Sequence, residues 1–181
     1  EVIDQAGFSL KDLNAIAVSS GPGSYTGLRI GVSTAKGLCY ALDLPLIAIN
    51  TLDAMAYGMN AGSNDLLVPM IDARRMEVYS AVYDQQKNRL SEPQAIVVDE
   101  NYYSTFRDKQ KLLLGGDGAD KCRELFKTDQ GMEIQEGFMP QAEFMAELAE
   151  QKFKNSEFEN VALFEPFYLK EFVAGPKKQT F

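Results

Sequence analysis

The chain has 181 residues, with 18 lysines and arginines against 26 aspartates and glutamates, a formal net charge of −8, and no histidine. This acidic balance lacks the positive footprint of a free-standing nucleic-acid binder. Without histidine there is no Ser-His-Asp or Cys-His nucleophile and no histidine-ligated iron or zinc, so carboxylates, lysines, tyrosines and loops are left to carry chemistry.

At 45% hydrophobic residues the chain can build one domain with a core or two small lobes. Lys170 with Lys177 and Lys178 is the candidate basic patch, and a solvated chain end is its plainer reading. Cys39 and Cys122 are far apart and outside any CxxC pair, so neither a zinc site nor a disulfide framework is suggested. Cys39 reads as a small buried hydrophobe. No apolar run approaches membrane-spanning length and no basic-then-apolar leader opens the chain, so a soluble, cytoplasmic protein without membrane partners is expected.

In chain order, Asp4 to Leu13 reads as the end of a helix and a linker, and Ala15 to Ser20 (AIAVSS) as a buried strand bounded by Gly-Pro-Gly. Thr26 to Leu42 is the strongest helix. Ile30, Leu38 and Leu42 recur at helical spacing with Val32 and Cys39 beside them, Thr26 is placed to cap the start, and Pro45 ends it. Leu46 to Asn50 reads as a strand, and Thr51 caps a helix from Leu52 to about Met59 stopped by Gly62. The small polar run Ala61 to Asp65 is the best lobe boundary, dividing the chain into 1–63 and 64–181. Leu66 to Asp72 and Met76 to Asp84 form a hairpin across three residues, and Gln94 to Asp99 a third strand. Lys111 to Gly116 is a strand ending in glycines, Asp120 to Lys127 a helix, and Pro140 to Phe153 a helix with Phe144, Leu148 and Phe153 on one face. The order implies an α/β fold with partly parallel pairing.

The loop SSGPGSYTGLRIG, Ser19 to Gly31, invites a phosphate reading. A P-loop needs Lys-Ser/Thr after its last glycine, where Leu28-Arg29 stand, and a dinucleotide fingerprint needs glycine where Thr26 stands. A nucleophile elbow fails on spacing and on the lack of histidine. The helix that follows says more. Gly27, Gly31 and Ala35 recur every four residues with Thr34 beside them, and glycine inside a helix costs roughly 1 kcal/mol against alanine. Close packing on the chain's own sheet and close approach of a partner helix both explain such a stripe. Asp72-Ala73-Arg74-Arg75 sits at the hairpin, where an aspartate fixing the turn is the plainer reading and a metal or activated water the sharper one. Gly115, Gly116, Asp117 and Gly118 form a strand-to-helix turn open to two readings, an adenosine contact or an ordinary tight connection.

AIAVSSGPGSYTGLRIGVSTAKGL followed by LPLIAINTLDAMA, with IDARRMEVYSAVY, GGDGA and Pro166-Phe167-Tyr168-Leu169, closely resembles the B-subunit family of bacterial tRNA threonylcarbamoyladenosine biosynthesis, the TsaB or YeaZ family. The likeness runs over almost the whole chain, and Lys170 stands where arginine is common in that family. The resemblance implies an actin-like, sugar-kinase-like (ribonuclease H-like) fold of two related α/β lobes. Family members begin with a β-hairpin, a strand and a helix ahead of the Glu1 equivalent, so the first lobe is expected to lack its opening strands.

The resemblance further implies a non-catalytic scaffold that pairs with the catalytic D subunit in a complex containing an ATPase E subunit. That complex transfers threonylcarbamoyl to adenosine in tRNAs decoding codons that begin with adenine. ATP or ADP and iron belong to the partner subunits, tRNA is met only through the complex, and a homodimer is expected when the chain is alone. It favours the partner reading of the helix, with Gly27, Ile30, Gly31, Thr34, Ala35 and Leu38 facing the partner and the motif loop Gly21, Pro22, Gly23, Ser24, Tyr25 and Thr26 launching it. Two other classes compete. A peptidase follows from the glycoprotease label of relatives but would need an unusual Ser-Lys or carboxylate mechanism. A weak nucleotide-binding module would use the cleft between lobes near Gly115 to Gly118.

Overall fold

The computed structural model describes residues 1–60, 62, 65–99, 103–107 and 110–170. The chain opens with a short helix α1 (Val2–Gln5) and a 3₁₀ turn (Leu10–Asp12). The first sheet pairs β1 (Ile16–Gly21) with β2 (Leu46–Asn50) in parallel, Ile16 opposite Leu46, with an irregularity between Ser19 and Gly21. These are short apolar runs bounded by turn residues, and the connection between them is α2 (Tyr25–Leu42), as a parallel pair requires a crossover. Leu28, Val32, Ala35 and Cys39 of α2 are buried, and the last three pack on Val18 and Leu46. The cap of α2 is Ser24, whose Oγ accepts the Gly27 N–H at 3.3 Å, so the helix starts one residue before the expected Thr26. At its other end Asp43 turns left-handed (φ 53°) and Pro45 follows.

Helix α3 (Thr51–Gly58) is likewise capped one residue earlier than expected: Asn50 Oδ1 accepts the Leu52 N–H at 2.9 Å. Thr51 instead places its hydroxyl 2.5 Å from that of Ser19, tying α3 to β1. Ala61, Ser63 and Asn64 of the expected boundary lie outside the described residues.

The second sheet runs β5-β4-β3-β6-β7. It comprises β3 (Leu66–Asp72), β4 (Glu77–Ser80), β5 (Gln94–Val97), β6 (Leu112–Gly115) and β7 (Met132–Gln135). The 3–6–7 pairs are parallel and the 3–4–5 pairs antiparallel. Side chains alternate along central β3. Leu66, Val68 and Met70 enter one core with Leu112, Leu114, Tyr103 and Phe126, while Leu67 and Ile71 enter another with Leu52, Met55 and Phe138. Helices α4 (Ser104–Arg107), α5 (Asp117–Lys121) and α6 (Arg123–Phe126) follow in sequence. The single helix expected over Asp120 to Lys127 is two short ones broken at Cys122, which is buried in the first of these cores.

The chain then returns to the first sheet. A 3₁₀ segment (Ala142–Met145) leads into α7 (Ala146–Lys154), and Phe144, Met145, Leu148 and Ala149 pack on Ile47, Ile49 and Ala54. Phe153 leaves the face expected for it: it is 40% exposed and meets Phe158 at 5.8 Å. The outer edge of β2 is covered, since Lys152 Nζ donates to Ala48 O at 2.9 Å and Glu159 N to Leu46 O at 2.8 Å. The other edge of β1 carries no strand among the described residues. Lys36 of α2 clasps the returning segment through the carbonyls of Ala162 and Phe164, both at 3.0 Å.

Candidate functional site

The motif loop is built inward. Gly21 has φ +111°, and a side-chain carbon there would lie 2.5 Å from the Phe167 carbonyl oxygen. Phe167 N–H in turn donates to Ser20 O at 2.7 Å. Glycine is required because the returning segment crosses at backbone contact. A carbonyl oxygen at the glycine turn repels an anion, which argues against a phosphate cradle. Gly21 and Pro22 are buried, Gly23 is half-buried, and Thr26 is exposed. Tyr25 stacks 4.8 Å from Tyr168, with Arg29 4.3 Å over its ring.

Helix α2 is apolar on two faces. Its inner face is Leu28, Val32, Ala35 and Cys39. The outer one carries Ile30, 63% exposed, and Leu38, 37% exposed, with exposed Gly27, Thr34 and Gly37 between them. The periodicity Ile30–Leu38 therefore runs along the outer surface of the helix. The small-residue stripe splits as well. Ala35 is 4% exposed in the chain's own core, which corrects its assignment to a partner face. Gly31 is half-buried, and a side-chain carbon there would touch Val18 Cγ2 at 3.9 Å. At Gly37 such a carbon meets nothing within 4 Å. A second apolar stripe on a helix whose first is already buried calls for a cover of its own, so the outer face is the strongest candidate for a partner.

The Gly115–Gly118 turn is filled by the protein. Side-chain carbons would lie 3.0 Å from Met59 and Phe138 at Gly115, 2.1 Å from Met70 O at Gly116 and 2.9 Å from Met70 C at Gly118. These glycines let the turn pack on β3, the tight-connection reading. Asp117 Oδ1 accepts the Asp72 N–H at 2.9 Å. At the β3–β4 hairpin Asp72 Oδ1 accepts the Arg74 N–H at 2.8 Å and pairs with Lys121. Desolvation pushes the Asp72 carboxyl up, but Lys121 and the Arg74 N–H together hold it below the ordinary carboxylate range. Lys170 is paired with Glu77, while Lys177 and Lys178 lie outside the described residues. No group of three or more carboxylates and cysteines comes together to hold a metal among the described residues. No helix among them is long and apolar enough to cross a membrane.

The sequence did not point to Asp53, Tyr83 and Arg89. Asp53 accepts the Tyr83 hydroxyl at 2.7 Å and Arg89 Nη2 at 2.6 Å, beside a cleft of about 310 Å³ that Ser20, Asn50, Lys152 and Glu165 also line. Residues 53 and 89 lie on separate elements with no motif between them, so only the fold brings them together. Each charge is met by its partner, and the group reads as a clamp between α3 and the segment after β4.

The tRNA N6-adenosine threonylcarbamoyltransferase (TsaD) family model matches residues 1–176. The tRNA threonylcarbamoyladenosine biosynthesis protein TsaB of Escherichia coli is 34% identical over 98% of this chain and 79% of its own. The protein of that name from Haemophilus influenzae is 29% identical over 98% and 78%. Among solved structures, YeaZ from Pseudomonas aeruginosa superposes with a TM-score of 0.72 at 26% identity, over 92% of this chain and 79% of that one. A second Pseudomonas aeruginosa structure, described as similar to peptidase YEAZ, gives 0.73 at 25% identity over 93% and 79%. The parallel pair and the mixed sheet, with their helices, fit the actin-like, ribonuclease H-like fold of these neighbours. The chain thus belongs to the tRNA N6-adenosine threonylcarbamoyltransferase family, among its TsaB (YeaZ) members.

Proposed function

We propose that this chain is the non-catalytic scaffold subunit of a cytoplasmic complex that installs threonylcarbamoyl on adenosine of tRNAs decoding codons that begin with adenine. In this reading the outer face of α2 docks on the catalytic D subunit. An ATPase E subunit completes the assembly, and the same face pairs two copies when the chain is alone. The observation that carries it is the second apolar face of α2, where Ile30 and Leu38 stand exposed beside Gly27, Thr34 and Gly37. Full burial of an aliphatic side chain is worth about 1.5–3 kcal/mol, of which Ile30 and the less exposed Leu38 would each gain a part, while the small residues beside them allow close backbone approach. The reading divides the chain into lobes 1–63 and 64–181, with the segment after Gln141 returning to the first. ATP and iron chemistry is left to the partners, and a peptidase role would need an unusual Ser-Lys or carboxylate mechanism, since the chain has no histidine.

The test is reconstitution of the whole protein with its partner subunits and a tRNA transcript, with and without this subunit. Modification that depends on it, and is lost in Ile30→Asp together with co-elution of the D subunit, supports the scaffold. Modification at full rate without it, or turnover by the pure chain, overturns it.

A further inference from the structure

The β3–β4 turn places Arg74 and Arg75 side by side at positive φ, 68° and 53°. Left-handed backbone suits glycine or asparagine better than a residue with a long side chain. The turn is held closed by Ala73 N–H to Glu77 O at 3.1 Å, Glu77 N–H to Arg74 O at 3.2 Å and the Arg74 N–H bond to Asp72. Chain reversal alone does not call for arginine here, and observed strain of this kind tends to accompany a working surface.

Among the described residues neither guanidinium group closes an ion pair or a hydrogen bond, and Arg74 acts on the nearby Asp72 carboxyl only through space. The other lysines and arginines among the described side chains, Lys11 aside, end on a carboxylate, a backbone carbonyl or an aromatic ring. The two carboxylates flanking the turn are already taken, Asp72 by Lys121 and Glu77 by Lys170. Arg74 and Arg75 are both exposed, on a chain whose net charge is −8. Such a chain repels a polyanion over most of its surface, so the turn is where one can approach. A guanidinium fork matches phosphate oxygens in bidentate fashion.

We propose that the Arg74–Arg75 turn is a phosphate contact, the point at which this subunit touches the backbone of the tRNA handled by the complex. The proposal rests on the functional reading above. Two guanidinium groups on a closed turn span one or two phosphates, enough to orient the RNA and too few for this chain to hold it alone.

The test uses the complex assembled from the whole protein and its partner subunits, with an unmodified tRNA transcript that decodes a codon beginning with adenine. Affinity is measured across a salt series. Arg74→Asn with Arg75→Gly removes both charges and suits the positive φ values, so folding is retained. Arg74→Lys with Arg75→Lys keeps the charge. The expected result is RNA affinity at least about tenfold weaker in the Asn-Gly variant, with a salt dependence shallower by about 0.7–0.9 per phosphate lost. Most of that dependence should remain in the double-lysine variant, and subunit co-elution should be unchanged in both. Unaltered RNA affinity in the Asn-Gly variant overturns the proposal. So does loss of a partner subunit from that variant, which assigns the turn to an acidic protein surface. A parent complex that binds no RNA overturns the functional reading itself, and this proposal with it.

Discussion

Gly116 leaves no room for any side chain: at φ +119° a side-chain carbon would lie 2.1 Å from the Met70 carbonyl oxygen. Gly116→Ala therefore strains the backbone and pushes β3 away, and should cost about 2–4 kcal/mol, read as a lower urea midpoint. Gly37, helical and open, predicts the reverse: Gly37→Ala should raise stability by about 0.5–1 kcal/mol. Tyr83 gives a pH signature. Burial first, then the Asp53 carboxylate, push its hydroxyl far above the usual tyrosine value. A group whose pKa is raised on folding contributes fully below its unfolded value, about 10, and loses that contribution as pH rises beyond it. Stability should fall above pH ~10. Tyr83→Phe should flatten that fall while lowering neutral-pH stability by about 1–2 kcal/mol, followed by denaturation at pH 8 and pH 11. Caps were legible only to within a position or two. Ser24 and Thr26, or Asn50 and Thr51, are chemically able to cap, and the choice is made by which hydroxyl or amide the strand end aims at the first turn.

Among the elements, α2 makes the sharpest contrast. Ala35→Leu overpacks the first sheet and should cost about 1–3 kcal/mol, lowering the melting temperature. Ile30→Asp should leave melting within about 0.5 kcal/mol and abolish subunit pairing, a split read by calorimetry beside gel filtration. Periodicity announced the helix but not its orientation, because both faces are apolar and the pattern Ile30–Leu38 is as regular as Val32–Cys39. The buried strands β1, β2, β3 and β6 were readable as short apolar runs between turn residues. β7 was not: Met132–Gln135 mixes one buried residue with exposed Glu133 and sits at a sheet edge, where few neighbours constrain composition. The stretch Asp120 to Lys127 carries no glycine or proline to announce a break, and the interruption shows only in the backbone, where Cys122 leaves helical angles (φ −91°, ψ 6°) and its N–H bonds Ala119 O at 3.0 Å.

Across the molecule, the polar run near residue 63 marks where the chain passes between sheets, yet packing does not respect it. Helix α3, before the run, packs against β3, and α7, far beyond it, against β2. Contacts between segments a hundred residues apart leave no local trace in composition, so this exchange was not legible. Phe144 is its joint. It packs with the core under α3 and with that of the first sheet, stacks on Phe138 at 5.4 Å, and fills the space a side chain at Gly58 would need. Phe144→Ala should cost about 2–4 kcal/mol and uncouple the sheets, so that amides of β1 and β2 exchange hydrogen well before those of β3 and β6. The return of the chain to β2 also has a consequence for biosynthesis. Lys152 and Glu159, which cover the edge of β2, leave the ribosome long after Asn50 does. At about 5–20 residues per second, translation of the intervening hundred or so takes roughly 5–20 s. For that time β2 has a bare edge and an uncovered apolar face, the kind of surface nascent-chain chaperones shield, and the β1–β2 pair waits on the segment after Gln141 to finish folding.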